Sequence, residues 1–182
     1  MRKLTNSTYV TLDGVIQDPQ DWPSTDGSGD RGLRIQTELL LSCELQIMGR
    51  RTYEGFAAVW PTRSGDPYSD HINAMRKLVF SSGIDEPGWN NTVVVTQDPA
   101  ETVRALKAEE GGDIVQYGFG HLAYQLLAAG LVDELRLWVH PFFIGRGGPE
   151  ALLYRDSPTM TLKLADATAV NNGIAILTYT KA

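Results

Sequence analysis

The sequence predicts an α/β fold in which a mostly parallel central sheet carries helices on both faces and ends in an antiparallel hairpin. Runs of apolar and β-branched residues alternate with segments of helical periodicity, which is typical of parallel strands joined by helical crossovers. The last quarter instead holds two strand-like runs separated by turn residues. A length of 182 residues fits one compact unit, so residues 1–182 are predicted to form a single domain.

Six strands are predicted before the hairpin, each bounded by turn residues. They cover residues 4–12, 45–48, 78–81, 92–96, 114–117 and 134–140. Three segments between them have helical spacing. One apolar face combines Ile35, Leu39 and Cys43, a second combines Val103 and Leu106, and a third combines Leu122, Leu126 and Ala129.

The predicted hairpin pairs residues 160–168 with residues 173–180. Asn171, Asn172 and Gly173 join them, and these residue types tolerate the positive φ of a tight turn. Two stretches rich in Asp, Pro, Ser and Gly, residues 17–30 and 61–69, are predicted to be surface loops.

Composition and charge exclude several classes of protein. The apolar fraction is 42% and the formal net charge is −6, and no basic stretch is long enough for a nucleic acid or an anionic membrane. Cys43 is the only cysteine, which fits a reducing cytoplasm and a small core residue better than a nucleophile. No apolar run approaches bilayer length, so we expect a cytoplasmic protein that binds neither membranes nor nucleic acid.

Three segments have the form of phosphate-binding turns. In the first, a buried strand meets Gly49, Arg50 and Arg51 before a helix. This arrangement offers free N–H groups and a cationic fork to an anion, although two solvated arginines in an ordinary turn explain it as well. In the second, Ser81 and Ser82 follow a strand, where hydroxyls bind ligands or simply make a turn.

The third segment runs from Gly118 through Gly120 into the helix that contains Leu122. It matches a dinucleotide-binding glycine pattern, yet about sixty residues follow it, too few for the βα units that such a pattern normally opens. We therefore expect a phosphate-binding turn in a different sheet. Asp13-Gly14 is predicted to be a turn. His71, His121 and His140 lack zinc-ligand spacing, so no metal site is predicted.

Taken in order, these segments resemble the dihydrofolate reductase superfamily, and most closely the C-terminal reductase domain of bifunctional riboflavin-biosynthesis deaminase-reductases. The resemblance covers nearly the whole chain. It rests on ordered motifs: Leu12-Asp13-Gly14, Met48-Gly49-Arg50-Arg51-Thr52-Tyr53-Glu54, Gly130-Leu131-Val132-Asp133-Glu134-Leu135, His140-Pro141 and Gly145-Arg146-Gly147.

The resemblance implies a dihydrofolate reductase-like three-layer fold, NADPH as cofactor, and hydride transfer to a pteridine-like or ribosylaminopyrimidine substrate. It also implies a homodimer. The nicotinamide carboxamide would lie near Tyr9 and Ile16. The first phosphate-binding helix would begin with Gly49, Arg50, Arg51 and Thr52, and the adenosine 2′-phosphate would lie beside Ser81 and Ser82. The pyrophosphate would bind at Gly118, Phe119, Gly120, His121 and Leu122.

The proton donor is open at this stage. Dihydrofolate reductase uses a carboxylate near the start of its first helix, where this chain has Leu33, and the nearest carboxylates are Asp30 and Glu38. Each is also explained as a helix-start or solvated charge. Two other functions are considered: an NADP-binding or regulatory protein without turnover, and a purely structural dimerisation domain.

Overall fold

The computed structural model describes residues 1–23, 29–154 and 159–182. In this part of the chain, eight strands form one sheet. They are β1 (Leu4–Thr11), β2 (Cys43–Gly49), β3 (Arg76–Phe80), β4 (Thr92–Val95), β5 (Asp113–Tyr117), β6 (Glu134–His140), β7 (Leu162–Ala169) and β8 (Ala175–Lys181). The order across the sheet is β4-β3-β2-β5-β1-β6-β8-β7. Strands β1 to β6 are parallel, whereas β8 pairs antiparallel with both β6 and β7.

Five α-helices cover the sheet in the described residues. They are α1 (Gly29–Leu41), α2 (Arg50–Ala57), α3 (Pro67–Ala74), α4 (Pro99–Ala108) and α5 (His121–Ala128). Apolar residues of α1, α2 and α3 share one core cluster with Met48, Val79 and Val115. Residues of α4 and α5 share another with Leu4, Ile47 and Ile114. Since side chains alternate across a strand, the two clusters lie on opposite faces, which gives the three predicted layers.

All eight predicted strands are present, with ends displaced by at most two residues. The predicted hairpin turn is confirmed: Asn172 and Gly173 have φ of 64° and 76°. Two predictions were wrong. Cys43 opens β2 instead of closing the first helix, because α1 ends at Leu41. The predicted loops also ended too late, since α1 begins at Gly29 and α3 at Pro67, while residues 24–28 lie outside the described part.

The connections around β5 fix the place where a ligand can bind. Helices α1 and α2 follow β1 and β2 and lie on one face, whereas α5 follows β5, the strand between them, and lies on the other. Chains that leave neighbouring strands toward opposite faces open a crevice at the carboxyl ends of those strands. In addition, β1 pairs with β5 only as far as Ser7, but with β6 as far as Thr11. The carboxyl half of β1 is therefore free on its β5 side.

At the end of the sheet opposite the crevice, Asp133 binds residues near both ends of the chain. One oxygen of this carboxylate accepts a hydrogen bond from the Leu4 N–H at 2.8 Å, and Lys107 also donates to it. The other lies 3.2 Å from Nζ of Lys181. Both chain ends are thus held at the amino ends of β1 and β6. No helix among the described residues has the length and apolar character needed to cross a bilayer.

Candidate active site

Two helices begin at the carboxyl edge of the sheet with uncapped amino ends. Gly49 precedes α2 and Gly120 precedes α5, both in extended conformation and without a side-chain cap. The first N–H groups of such helices have no partner inside the helix, and the helix dipole adds positive potential there. Each of these two ends therefore offers hydrogen-bond donors to an anion.

The glycines of the neighbouring turns show that the three predicted phosphate-binding segments meet. A Cβ on Gly118 would collide with the Thr52 hydroxyl, and a Cβ on Gly83 would lie 3.0 Å from Nη1 of Arg50. Gly118 has φ of 80°, a conformation that favours glycine. The turn after β5 thus contacts the start of α2, and the Ser81–Ser82 segment contacts the same helix through Arg50.

The cationic side chains at this edge face solvent. Arg50 is half exposed, and its Nε donates to Oε1 of Glu54 at 2.7 Å, a pairing of exposed side chains one helical turn apart. This bond raises the pKa of Arg50. Arg51 and Ser82 are exposed, and Ser81 is half-buried with its Oγ accepting from the Gly83 N–H at 3.1 Å. Exposed cations and hydroxyls beside two helix starts are accessible to a phosphate group.

A polar pair lies inside the crevice beside the free half of β1. The Tyr9 hydroxyl donates to Oε1 of Gln36 on α1 at 3.2 Å, and burial raises the pKa of Tyr9. Leu33 lies one turn earlier on the same side of α1 as Gln36 and is 58% exposed. Between the sheet and α1, the crevice is therefore lined by the Tyr9 hydroxyl, the Gln36 carboxamide and the apolar side chain of Leu33.

Aromatic rings close one end of this crevice around His140. The His140 ring centroid lies 4.9 Å from that of Tyr9, 5.2 Å from Trp22 and 5.7 Å from Phe142. His140 is 7% exposed, and neither ring nitrogen has a hydrogen-bond partner among the described residues. Burial lowers its pKa to about 4, so the imidazole is neutral at physiological pH.

The segment after β1 is hydrogen-bonded to two loops that are distant from it in the sequence. Asp13 accepts hydrogen bonds from the N–H groups of Ile144 and Gly145, the latter at 2.7 Å, and from the Thr11 hydroxyl. The predicted turn is confirmed by Gly14, with φ of 82°. The Ile16 N–H donates to the Ala151 carbonyl at 2.8 Å, and its side chain packs against the cluster that contains Phe119. Ile16 is therefore brought to the turn after β5.

The two candidate proton donors are placed less favourably. Both Asp30 and Glu38 are exposed on α1, and Glu38 is two residues beyond Gln36, which puts it on the opposite side of the helix. The structure does not bring Glu38 to the Tyr9 hydroxyl. Among the described residues there is no cluster of His, Cys, Asp or Glu that would hold a metal ion, and the Gly118–Phe119 peptide bond is trans.

Comparison with known proteins matches residues 2–176 to the family model of the RibD C-terminal domain. The chain belongs to this family. It is 28% identical over 186 residues to the uncharacterized protein YyaP of Bacillus subtilis, covering 98% of this chain and 94% of YyaP. The predicted resemblance is confirmed, since this domain is the reductase domain that the ordered motifs indicated.

Solved structures of the RibD type share the fold. A Shewanella sp. PV-4 protein assigned to riboflavin biosynthesis superposes with a TM-score of 0.73 at 19% identity, covering 100% of this chain and 99% of that one. The diaminohydroxyphosphoribosylaminopyrimidine deaminase/5-amino-6-(5-phosphoribosylamino)uracil reductase of Thermotoga maritima gives 0.67 at 14% identity, covering 100% and 57%. These likenesses establish the fold of this RibD-type domain.

Several residues of the site were not predicted from the sequence. Gln36 had a usable signal, because it follows Leu33 by three residues and so shares its helix face. The contacts of His140 with Tyr9 and Trp22 had none, since both residues are distant from it in the sequence. Asn6 and Thr8, two buried polar residues of β1 beneath the Gly118 turn, were likewise missed.

Proposed function

We propose that this RibD-type domain is an NADPH-dependent reductase that transfers a hydride to a small heterocyclic substrate of the riboflavin-pathway or pteridine type. The observation that carries the proposal is the meeting of two uncapped helix starts at one crevice, with Gly118 against Thr52 and Arg50 against Gly83. Three separate phosphate-type turns then belong to one continuous site.

The residues present fit such a cofactor. At Gly118 any other residue would place a Cβ against Thr52, so glycine lets the turn after β5 approach the start of α2. The uncapped starts of α2 and α5 can then bind one pyrophosphate. Arg50, Arg51 and Ser82 are the exposed cations and hydroxyl for the adenosine 2′-phosphate, a group that distinguishes NADPH from NADH. The Ile16 N–H donates to Ala151, so the backbone group that we assign to the nicotinamide carboxamide is the Ile16 carbonyl.

The reaction needs placement more than acid–base chemistry from the protein. The chemistry supplied by the bound cofactor is hydride transfer to an electrophilic carbon of the substrate. The free half of β1 orients the substrate, with the Tyr9 hydroxyl held by Gln36 and its proton retained because of the raised pKa. Trp22 and Phe142 cover the end of the crevice at His140 and exclude water.

Replacing Arg50 with alanine tests the cofactor assignment. We expect NADPH affinity to fall about tenfold and NADH affinity to change less than about twofold, since one charge-assisted phosphate contact is lost. Quenching of tryptophan fluorescence on titration with each nucleotide gives both dissociation constants. Arg104→Ala is the matched control, because it removes the same charge from the exposed side of α4. If neither nucleotide binds the wild-type protein, the proposal is wrong.

A second function is favoured by the neutral crevice. Tyr9, Gln36 and Leu33 carry no carboxylate, and Glu38 points away from them. An NADP-binding or regulatory protein without turnover would need none. NADPH oxidation at 340 nm with dihydropteridine and pyrimidine substrates separates the two: binding without oxidation of NADPH by any of them favours the regulatory function.

A further inference from the structure

Two buried polar residues of β1 lie beneath the turn that follows β5. Asn6 is fully buried and Thr8 is 3% exposed. The Asn6 Nδ2 donates to the Gly118 carbonyl at 3.0 Å, and the Thr8 hydroxyl donates to Asn6 Oδ1 at 2.9 Å. A buried polar group without a partner is costly, and here three groups satisfy each other in one short chain of bonds.

The Gly118 carbonyl selects the orientation of the Asn6 carboxamide, and the Thr8 hydroxyl satisfies its other end by donating to the oxygen. A carboxamide has a donor end and an acceptor end, and a backbone carbonyl accepts only from the donor end. With the NH₂ group of Asn6 directed at Gly118, Oδ1 accepts from Thr8. A flipped carboxamide would set two oxygens against each other, so the pair holds the Gly118 carbonyl in one direction.

Holding this carbonyl also directs the next N–H group. The Gly118–Phe119 peptide is trans and planar, so its C=O and N–H point in opposite directions. With the carbonyl drawn to Asn6 inside the sheet, the Phe119 N–H points away from the sheet interior. In the described part of the chain this N–H donates to no backbone carbonyl. Thr52 limits movement of the turn from its other side.

We infer that Asn6, supported by its hydrogen bond from Thr8, is a positioning residue that aims the Phe119 N–H at the pyrophosphate of the cofactor. The inference rests on the proposed function, because it assigns a role within the same site. Asn6 itself touches no cofactor. It acts through the Gly118–Phe119 peptide, 112 residues further along the chain.

Asn6→Leu tests this role, since leucine keeps the volume and removes both bonds. We expect NADPH to bind about tenfold more weakly, because a donor to a charged group is misdirected. Adenosine 2′-monophosphate has no pyrophosphate, so its affinity should change less than about twofold. Thr8→Val should weaken NADPH about threefold and Thr8→Ser should restore it. Equal weakening of both ligands, or unchanged NADPH affinity in Asn6→Leu and Thr8→Val, would overturn the inference.

Ser7→Ala is the matched control. Ser7 is 4% exposed on the other face of the same strand and accepts from Trp138 Nε1 at 3.1 Å. This variant should lose stability without any change in NADPH affinity.

Hydrogen exchange of the ligand-free protein separates the inference from the proposed function. Amide exchange at residues 118–122 should accelerate at least about fivefold in Asn6→Leu and Thr8→Val but not in Ser7→Ala. This result is expected whether or not the wild-type protein binds NADPH. Unchanged exchange in Asn6→Leu and Thr8→Val would contradict the inference.

Discussion

Gly118→Ala is expected to reduce NADPH affinity about 100-fold and to lower the free energy of unfolding by about 2–5 kcal/mol. At φ of 80° an L-residue with a Cβ is strained by about 1–2 kcal/mol. The new methyl group would also collide with the Thr52 hydroxyl, and overpacking of this kind costs about 1–3 kcal/mol. Any movement of the turn that relieves the collision also moves its N–H groups. Urea unfolding and a fluorescence titration measure both quantities.

Two other glycines separate strain from collision. Gly130 has φ of 65° and open space around its Cβ position, so Gly130→Ala should show strain alone, about 1 kcal/mol. Gly120 has φ of −128° and equally open surroundings, so Gly120→Ala should leave stability nearly unchanged. A similar loss of stability in Gly118→Ala and Gly120→Ala would refute this explanation.

The collision itself is measurable by a double-mutant cycle. Adding Thr52→Ala to Gly118→Ala removes the hydroxyl that the new methyl group meets. We expect the loss in free energy of unfolding of the double variant to be about 1 kcal/mol smaller than the sum of the losses of the single variants, since the effects of substitutions at contacting residues are not additive. Additive effects would show that the turn and α2 are not in contact.

Acidification from pH 7 to pH 4 is expected to destabilise the protein by about 3 kcal/mol through His140 alone. Its pKa is about 4 in the folded protein, against 6.5 for an ordinary histidine. Between these values the unfolded chain binds a proton that the folded protein does not, so the free energy of unfolding falls as the pH falls. The contribution is fully present above pH 6.5 and is lost by pH 4.

His140→Phe isolates this contribution. Phenylalanine fits among the rings of Tyr9, Trp22 and Phe142, and it cannot take up a proton. Over the same pH range, the free energy of unfolding of the variant should fall by about 3 kcal/mol less than that of the wild type. Urea unfolding at each pH measures this difference. Asp13 and Asp66 have lowered pKa values, chiefly through bonds from Thr11 and Ser69, and therefore act in a window below about pH 4. Parallel pH profiles in the two proteins would contradict the assignment.

Local patterns predicted the sheet well because burial on a strand leaves a direct record in the sequence. All eight strands were found from alternation, β-branching and turn residues. Helix α3 was missed although its start carries a signal: Asp66 caps the N–H groups of Tyr68 and Ser69, and Pro67 occupies the first turn. The helix sequence PYSDHINA holds few apolar residues that could mark a period, so the Pro, Ser and Asp content favoured a loop.

The site was predictable only where the ligand contacts are local in the chain. A strand, a glycine and a helix start are adjacent in sequence, so Gly49 and Gly118 were recognised. Contacts between distant residues leave no such pattern. Nothing in the sequence pairs Asn6 with Gly118, or His140 with Trp22, because those meetings follow from the order of strands across the sheet.

The carboxylate of Asp133 has a practical consequence for experiments on this protein. Because it holds Leu4 and Lys181 at the amino ends of the strands, both termini leave from the edge opposite the crevice. An affinity handle, a fluorescent fusion or a sensor surface attached at either terminus therefore leaves the crevice facing the bulk solution. Joining the two ends with a short linker and reopening the chain elsewhere should yield a permuted protein with its nucleotide affinity intact.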